Sequence, residues 1–392
     1  MALRFGLLGT GHWAAEAHGA ALAGHPGVEF VGVWGRDLTK AAKLADRFAV
    51  RPYGSVDALL AEVDAVAVAL PPDVQAPLAL HAAAAGKHLL LDKPLAFTVA
   101  AADRIAATVD ANRLVARVFF TRRYQPEVAG FLARMAAGSW DGARVSLYAS
   151  IFQPGNPYGG SPWRRQHGGV WDIGPHALSV LLPVLGPVAE VLAMPAAHST
   201  TNVLLRHVSG AGSMLSLTLD APPAATGDEI VFSGPAGFAT VPAGQLSPAE
   251  VATRILDEFV RAVATGTVHH PCDARFGRDV VAVLVAAEAA SRLGAAVHPA
   301  RSPGRPAAVR PATPTGPTTP TGPTTPANPA HPAGPVTPAG PANPATPASP
   351  AAPAAPAAPA SPDGPASPDG SNGQPGAAAA AEIRPDGPGG SR

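Results

Sequence analysis

Cysteine and aromatic residues are scarce in this chain. Its 392 residues include one cysteine, Cys272, and aromatic residues make up only 5%. A single cysteine excludes an internal disulfide framework and is typical of a reducing compartment, so we expect a cytoplasmic protein. We also expect no secretory signal, because the short apolar start "LRFGLL" leads straight into glycines.

The chain also carries no formal net charge at pH 7. The 28 basic and 28 acidic residues cancel, and no basic stripe or polybasic patch stands out, which argues against nucleic-acid and membrane-surface partners. No apolar run free of charge and glycine reaches the roughly 18 residues of a membrane span. The histidines of "HHPC" (residues 269–272) are adjacent and no further ligand cluster follows, so we predict no metal site.

Proline is concentrated after residue 301. From Pro311 to Pro368 it falls at every third position, which in a polyproline II helix places every proline along one edge. Large apolar side chains are almost absent from this region, so it cannot offset its ordering entropy. We predict a disordered tail over residues 301–392, and the alternative is a ligand for a proline-motif-binding partner.

Short apolar strands alternate with helical stretches through the first 120 residues. Strands are predicted in the segments "LRFGLL", "VEFVGVWG", "DAVAVAL", "KHLLLDKP" and "LVARVFF". This alternation predicts an α/β fold, a doubly wound parallel sheet with helices on both faces. Residues 1–120 are therefore interpreted as a Rossmann dinucleotide-binding domain.

The pattern changes after residue 121. A long strand is predicted over residues 143–152, hairpins within residues 201–220 and 228–241, and helices near residues 249–264 and 276–293. Residues 121–300 are therefore interpreted as an α+β domain with an open, mostly antiparallel sheet. Such a sheet leaves one face available to cover a partner subunit.

A G-x-G-x-x-A motif, Gly9, Gly11 and Ala14, directly follows the first predicted strand and opens a helix. Glycines permit a tight turn and close approach of a pyrophosphate, which the helix N-terminus attracts. The predicted cofactor contacts are Gly9, Thr10, Gly11, His12 and Trp13 in this loop, Arg36 after the second strand, Leu70 and Pro71 after the third, and Lys93 after the fourth.

The end of the second strand bears on the choice of cofactor. Gly35 stands where an acid would grip a ribose 2′-hydroxyl, and Arg36 follows it. An arginine could pair with a 2′-phosphate, which favours NADP(H) over NAD(H). We interpret Asp37 as the N-cap of the next helix. A shift of one residue would make it a ribose ligand, so NAD(H) remains the alternative.

The segment "WRRQHGGVWDIGPH" (residues 163–176) contains a second cluster. Asp172 and His176 are four residues apart, so on a helix, or on a turn opening into one, they face the same way. A histidine near a carboxylate is suited to proton transfer near neutral pH. For this pair taken alone, the alternative is an ion pair on a helix surface.

The order of these motifs resembles that of the glucose–fructose oxidoreductase/inositol dehydrogenase (Gfo/Idh/MocA) family. "AGKHLLLDKPLA" (residues 85–96) is similar to the family's A-G-K-H-V-L-x-E-K-P-L-A, and "RYQP" (residues 123–126) to its R-F-H-P. The resemblance covers about residues 3 to 298. One turn differs, because Pro72 and Gln75 stand where the family has Asn and His.

The resemblance implies hydride transfer between NADP(H) or NAD(H) and a carbinol carbon of a sugar, polyol or cyclitol. It implies three catalytic residues and three further substrate contacts: Lys93, Asp172 and His176, then Arg123, Trp163 and Arg164. It also implies a homodimer or homotetramer. Two alternatives stay open, an NAD-dependent glycosidase acting by transient oxidation and a non-catalytic dinucleotide-binding regulator.

Overall fold

The computed structural model describes residues 2–302. The tail predicted over residues 301–392 therefore lies almost wholly outside the described residues. All of residues 2–302 fall within one compact unit, so the domain boundary expected between residues 120 and 121 stays a prediction. No helix within residues 2–302 is long and apolar enough to cross a membrane.

Six parallel strands form the first sheet. They are β1 (Leu3–Leu8), β2 (Val28–Trp34), β3 (Arg51–Tyr53), β4 (Ala65–Val68), β5 (His88–Leu91) and β6 (Ala116–Val118). Their order is β3-β2-β1-β4-β5-β6, so the winding direction switches between β1 and β4, and ligands bind at the carboxyl edge of such a switch point. The predicted doubly wound sheet is confirmed, although β6 spans only three of the seven residues expected.

Five helices connect these strands. They are α1 (Ala20–Gly24), α2 (Leu38–Arg47), α3 (Val56–Glu62), α4 (Pro72–Ala84) and α5 (Val99–Ala111). Asp37 caps α2 as predicted, because its Oδ1 accepts a hydrogen bond from the Lys40 backbone N–H at 3.1 Å. Gly86 follows α4 with a φ of +74°, a conformation typical of the glycine that ends a helix.

A π-helical segment, Ala14–Gly19, lies between the glycine loop and α1. It buries His18, which is 1% exposed and lies 4.9 Å from the Phe119 ring. Burial lowers the pKa of His18 to about 3. His18 is therefore a neutral core residue. The sequence predicted helix here but gave no sign of the wider π-helical turn.

The second sheet has six strands in the order β12-β11-β7-β10-β9-β8. They are β7 (Gly142–Tyr148), β8 (Val188–Pro195), β9 (Thr201–His207), β10 (Gly212–Thr218), β11 (Gly227–Gly234) and β12 (Gly237–Thr240). Only β7 and β10 pair in parallel, so the expected mostly antiparallel sheet and both hairpins are confirmed.

Two strand predictions were incomplete. The strand expected over residues 143–152 ends at Tyr148, because the glycine- and proline-rich segment "QPGNPYGG" that follows favours turns over a ladder. Strand β8 was missed, although Val191 and Ala193 are buried while Leu192 and Met194 are exposed. That alternation is the period-two signal of a half-buried strand.

Five further helices lie within residues 126–293. They are α6 (Pro126–Met135), α7 (Pro162–Asp172), α8 (Gly174–Leu185), α9 (Pro248–Thr265) and α10 (Ala274–Leu293), with 3₁₀ turns at Thr121–Tyr124 and Pro223–Ala225. Helices α9 and α10 confirm the two predicted C-terminal helices. Because α10 packs against both α5 and β8, it joins the layers built on the two sheets.

Candidate active site

Lys93 lies two residues beyond β5, at the carboxyl edge of the first sheet, and its peptide bond to Pro94 is cis. The fully buried Gln75 on α4 holds this segment. Its Oε1 accepts from the Asp92 backbone N–H, and its Nε2 donates to the Asp92 carbonyl, both at 2.8 Å. The residue that departs from the family pattern therefore fixes the backbone that carries Lys93.

The Lys93 side chain reaches Asp172, 79 positions away in the chain. Its Nζ donates to Asp172 Oδ1 at 2.9 Å and to the Asp172 carbonyl oxygen at 2.6 Å. Arg164 Nε donates to Oδ2 of the same carboxylate at 3.0 Å. The Arg164 guanidinium also lies over the Tyr158 and Trp163 rings, 4.7 and 4.5 Å from their centroids. The carboxylate is thus held between two cations.

These contacts determine the charge of Asp172. Burial alone would raise the pKa of its carboxyl, but the positive charges of Lys93 and Arg164 outweigh burial and lower that pKa to about 2. The side chain is buried, and the residue is 7% exposed. Asp172 is therefore an anion at neutral pH, and it does not lie on a helix surface as the alternative interpretation required.

Asp92 is adjacent to Lys93 in the chain but is not the partner of its ammonium group. Asp92 Oδ1 accepts from the Lys93 backbone N–H at 2.8 Å, whereas the salt bridge of Lys93 goes to Asp172. Burial raises the pKa of Asp92 to about 6, even with the Lys93 charge nearby. Asp92 therefore shapes the backbone at this edge and leaves the lysine amine directed at α7.

His176 occupies the first turn of α8, just after the junction at Ile173. Its Nδ1 lies 3.4 Å from Thr121 Oγ1. Burial, followed by the positive charges of Lys93 and Arg122, lowers the pKa of His176 well below its ordinary value. The imidazole is therefore neutral at pH 7 and can accept a proton.

Two glycines allow α7 to pack closely against the second sheet. Gly168 has a φ of +62° and kinks α7, a conformation that favours glycine. A Cβ on Gly169 would lie 2.9 Å from the Leu217 carbonyl carbon of β10. A larger residue at 169 would therefore push α7, with Arg164 and Asp172, away from β10.

A cavity of about 360 Å³ opens beside His176. The polar residues of its wall are Arg122, Tyr148, His176, Thr226 and Asp228. Of these, only His176 was predicted from the sequence, and Arg122, Tyr148, Thr226 and Asp228 were not. Arg122 was adjacent to a motif residue, but Tyr148 and Asp228 lie on strands and carried no signal that a single sequence could reveal.

Arg123 was expected at the substrate, and the structure places it elsewhere. Its Nη1 donates to the Ser179 carbonyl oxygen at 3.2 Å, and its guanidinium lies 5.6 Å from the Phe276 ring centroid. Successive residues of a 3₁₀ turn point in different directions. Arg122 therefore faces the cavity while Arg123 packs against α8 and α10.

The glycine loop fits the pyrophosphate of a dinucleotide. Gly9 has a φ of +137°, and a Cβ there would lie 2.5 Å from the Ala69 carbonyl oxygen, so only glycine fits. A Cβ on Gly11 would meet no heavy atom within 4 Å, so the loop backbone is open to an approaching phosphate. Ala69 precedes Leu70 and Pro71, and these two predicted contacts therefore lie beside the loop.

The remaining predicted cofactor contacts lie around this loop. A Cβ on Gly35 would lie 2.5 Å from Thr10 Cγ2, so Thr10 occupies the space that an acidic side chain at position 35 would need. Arg36 is exposed. The His12 ring lies 5.7 Å from the Tyr158 ring, and the Trp13 ring lies 5.6 Å from that of Phe119.

The strand order, the glycine turn and the clustered polar residues at one sheet edge define a nucleotide-binding Rossmann fold with an adjoining polar cavity. Residues 3–120 match the family model described as "Oxidoreductase family, NAD-binding Rossmann fold". Residues 3–120 therefore match the Rossmann domain of the Gfo/Idh/MocA oxidoreductase family, as the motifs indicated.

Two curated relatives show the extent of the likeness. The chain is 31% identical over 212 residues to the uncharacterized oxidoreductase YdgJ of Escherichia coli, which is 50% of this chain and 59% of that protein. It is 33% identical over 189 residues to a dTDP-3,4-didehydro-2,6-dideoxy-alpha-D-glucose 3-reductase of Streptomyces antibioticus, which is 47% and 57%. The matches therefore span somewhat more than half of either relative.

Solved structures show the same fold over a larger part of the chain. A levoglucosan dehydrogenase in complex with NADH superposes with a TM-score of 0.66 at 19% identity, and the match covers 77% of this chain and 100% of that one. At this identity the likeness establishes the fold alone, which includes both the first and the second sheet.

Proposed function

We propose that the protein is an NAD(P)-dependent oxidoreductase that transfers a hydride between a nicotinamide and a carbinol carbon of a sugar, polyol or cyclitol. The observation that carries this proposal is the cluster of Lys93, Asp172 and neutral His176 beside a cavity. Lys93 extends from the same sheet edge as the glycine loop. The family of the Rossmann domain supports the nicotinamide cofactor.

The cluster provides the proton chemistry that alcohol oxidation needs. A bound nicotinamide supplies the hydride acceptor, or the donor in the reverse direction. A hydride leaves carbon readily only as the hydroxyl proton departs, so a base and a cation must lie close together. In our proposal His176 accepts that proton at Nε2, while its Nδ1–H donates to Thr121 Oγ1.

Lys93 and its partners have a supporting part in this proposal. The Lys93 ammonium lies next to the developing alkoxide and stabilises its charge. Asp172 anchors that ammonium through two hydrogen bonds, and Arg164 anchors Asp172. Trp163 and Tyr158 cover the Arg164 guanidinium, which limits the access of water to the carboxylate.

A sugar is the substrate class best supported by the relatives. The Streptomyces relative is named as a reductase of a dTDP-linked dideoxy sugar. A panel of sugars, polyols and cyclitols, incubated with NADP⁺ and with NAD⁺, should produce reduced nicotinamide absorbance with at least one member. Release of a free sugar from glycosides without net reduction of cofactor would instead indicate the glycosidase alternative. Cofactor binding without any turnover would indicate the regulator alternative.

We further propose that NADP(H) binds more tightly than NAD(H). The space beside Gly35 is filled by Thr10, so no acid repels a 2′-phosphate there, and the exposed Arg36 can pair with it. Titration by nucleotide fluorescence should show tighter NADPH binding, and Arg36→Glu should reverse the preference. Tighter NADH binding by the unaltered protein would contradict the proposal.

The outer face of the second sheet supports the expected homodimer or homotetramer. Leu192, Leu204 and Met214 are cross-strand neighbours on β8, β9 and β10, and they are 40%, 47% and 53% exposed. A contiguous exposed row of large apolar residues is typical of an interaction surface. Light scattering should therefore give an oligomer mass, and Leu204→Lys should lower it. A monomeric unaltered protein would contradict this expectation.

A further inference from the structure

The wall of the cavity carries an ion pair that the proposed chemistry does not use. Arg122 lies in the 3₁₀ turn after β6, and Asp228 lies at the start of β11. Their side chains meet through Arg122 Nη2 and Asp228 Oδ2 at 2.5 Å. The Arg122 side chain is 20% exposed and that of Asp228 is 62% exposed, so the pair borders the open part of the cavity.

Most of the hydrogen-bonding capacity of this pair is unused within residues 2–302. Arg122 makes one side-chain hydrogen bond there, through Nη2, and Asp228 accepts that bond through Oδ2. The Nε and Nη1 donors of the guanidinium and the Oδ1 acceptor of the carboxylate therefore have no hydrogen-bond partner within the described residues. A hydroxyl group is both donor and acceptor, so two vicinal hydroxyls match such a set.

The charges around the cavity argue against an anionic group at this position. Arg122 and Asp228 cancel each other, and His176 is neutral at pH 7. The two nearby cations, Lys93 and Arg164, share the single Asp172 carboxylate. Asp92, whose pKa burial raises to about 6, is mainly ionised at pH 7 and supplies the second negative charge of this cluster. An anion placed on Arg122 would lie against the Asp228 carboxylate and be repelled.

Building on the proposed function, we infer that Arg122 and Asp228 form a specificity subsite that selects a neutral vicinal diol of the substrate over a carboxylate or phosphate. The substrate class is then a neutral polyol or sugar ring at this subsite. If the substrate is a nucleotide sugar, its phosphates bind elsewhere. Arg122 contributes donors, and Asp228 contributes the acceptor and excludes acids.

The direction in which Asp228→Asn changes substrate affinity shows whether Arg122 binds a neutral diol or an anionic group. For a neutral diol, Asn removes a charge-assisted acceptor, so binding weakens, by roughly tenfold for one strong hydrogen bond. For an anionic substrate, Asn removes a repulsive charge beside Arg122, so binding tightens. Arg122→Gln should weaken binding of the diol, with Arg122→Lys intermediate because lysine lacks the planar fork.

The experiment measures binding and turnover separately on the full chain loaded with cofactor. Calorimetry compares neutral members of the panel, such as glucose and myo-inositol, with the matched acids gluconate and glucuronate. Glu190→Gln is the matched control, because it removes the acidic partner of a different arginine, Arg206, and neither residue lines the cavity. Thermal melting establishes that each variant folds.

The inference predicts that neutral compounds bind, that acids bind at least tenfold more weakly, and that Asp228→Asn weakens the neutral ligands while Glu190→Gln changes nothing. Three results would overturn the inference. The acids could bind more tightly than the neutral compounds, or Asp228→Asn could tighten the binding of acids without weakening that of neutral ligands. The third is that no member of the panel binds. Binding that depends on Arg122 and Asp228 without any turnover would refute the proposed oxidoreductase activity but leave this subsite intact.

Discussion

Asp172→Asn removes one charge from the buried cluster while keeping the shape of the side chain. The pKa of Asp172 is about 2 in the folded chain, against about 3.9 for an unperturbed aspartate. At about 1.4 kcal/mol per pKa unit, its ionisation stabilises the fold by roughly 2.5 kcal/mol at pH 7. The variant also removes the anionic partner that Lys93 and Arg164 share, so we expect a total loss of about 2–4 kcal/mol.

The pH dependence of this loss follows from the direction of the shift. Because the folded-state pKa is depressed, the stabilisation is present above the unfolded-state pKa and is lost as the pH falls toward 2. About half of it should remain at pH 3. The difference between the unaltered protein and the variant should therefore be largest near neutral pH and shrink below pH 4.

Urea unfolding followed by circular dichroism, at pH 7 and at pH 3, measures this difference. Asp228→Asn is the matched control, because its carboxylate also pairs with an arginine but is 62% exposed. An exposed pair of this kind should contribute at most about 1 kcal/mol. Equal stabilities of Asp172→Asn and the unaltered protein at pH 7, or a loss that does not change with pH, would refute the reasoning.

Three further predictions concern the glycine loop, Asp92 and Arg122. Gly9→Ala should destabilise the fold by roughly 2 kcal/mol or more because of its φ and the Ala69 carbonyl, whereas Gly11→Ala should melt normally and only weaken cofactor binding in fluorescence titrations. Asp92→Asn should raise the free energy of unfolding by about 1–3 kcal/mol at pH 8, because the pKa of Asp92 is raised to about 6, and the gain should vanish toward pH 3. Arg122→Gln should raise the pKa of His176 by removing a positive charge, which moves the acid limb of the kcat profile to higher pH. An unmoved limb would exclude His176 as the titrating base.

Local patterns predicted much of this fold because each rests on neighbouring residues. The strand–glycine–helix start and the capping role of Asp37 follow from backbone requirements that a single segment displays. The pairing of Lys93 with Asp172 could be anticipated only from the resemblance, because 79 residues separate them. Its geometry explains why Asp92, although adjacent, is not the partner of the lysine amine.

Other features depend on three-dimensional packing and could not be predicted from the sequence. Arg122 and Arg123 are adjacent residues of the same type, and the family motif includes only Arg123. The 3₁₀ turn nevertheless directs Arg122 into the cavity wall. Gln75 seemed to be a departure from the family turn, yet its amide fixes the segment around Asp92. Tyr148 and Asp228 reach the cavity through the register of the second sheet, which composition cannot specify.

Lys93→Ala tests the central claim most directly. The claim is that the cluster of Lys93, Asp172 and His176 carries hydride transfer at a carbinol carbon. With a substrate found in the panel, the variant should lose roughly 1,000-fold or more in kcat. The Kd for reduced cofactor should rise far less, because the glycine loop is unaltered. Lys40→Ala, at an exposed lysine on α2, should behave like the unaltered protein. Turnover by Lys93→Ala at the unaltered rate would contradict the account.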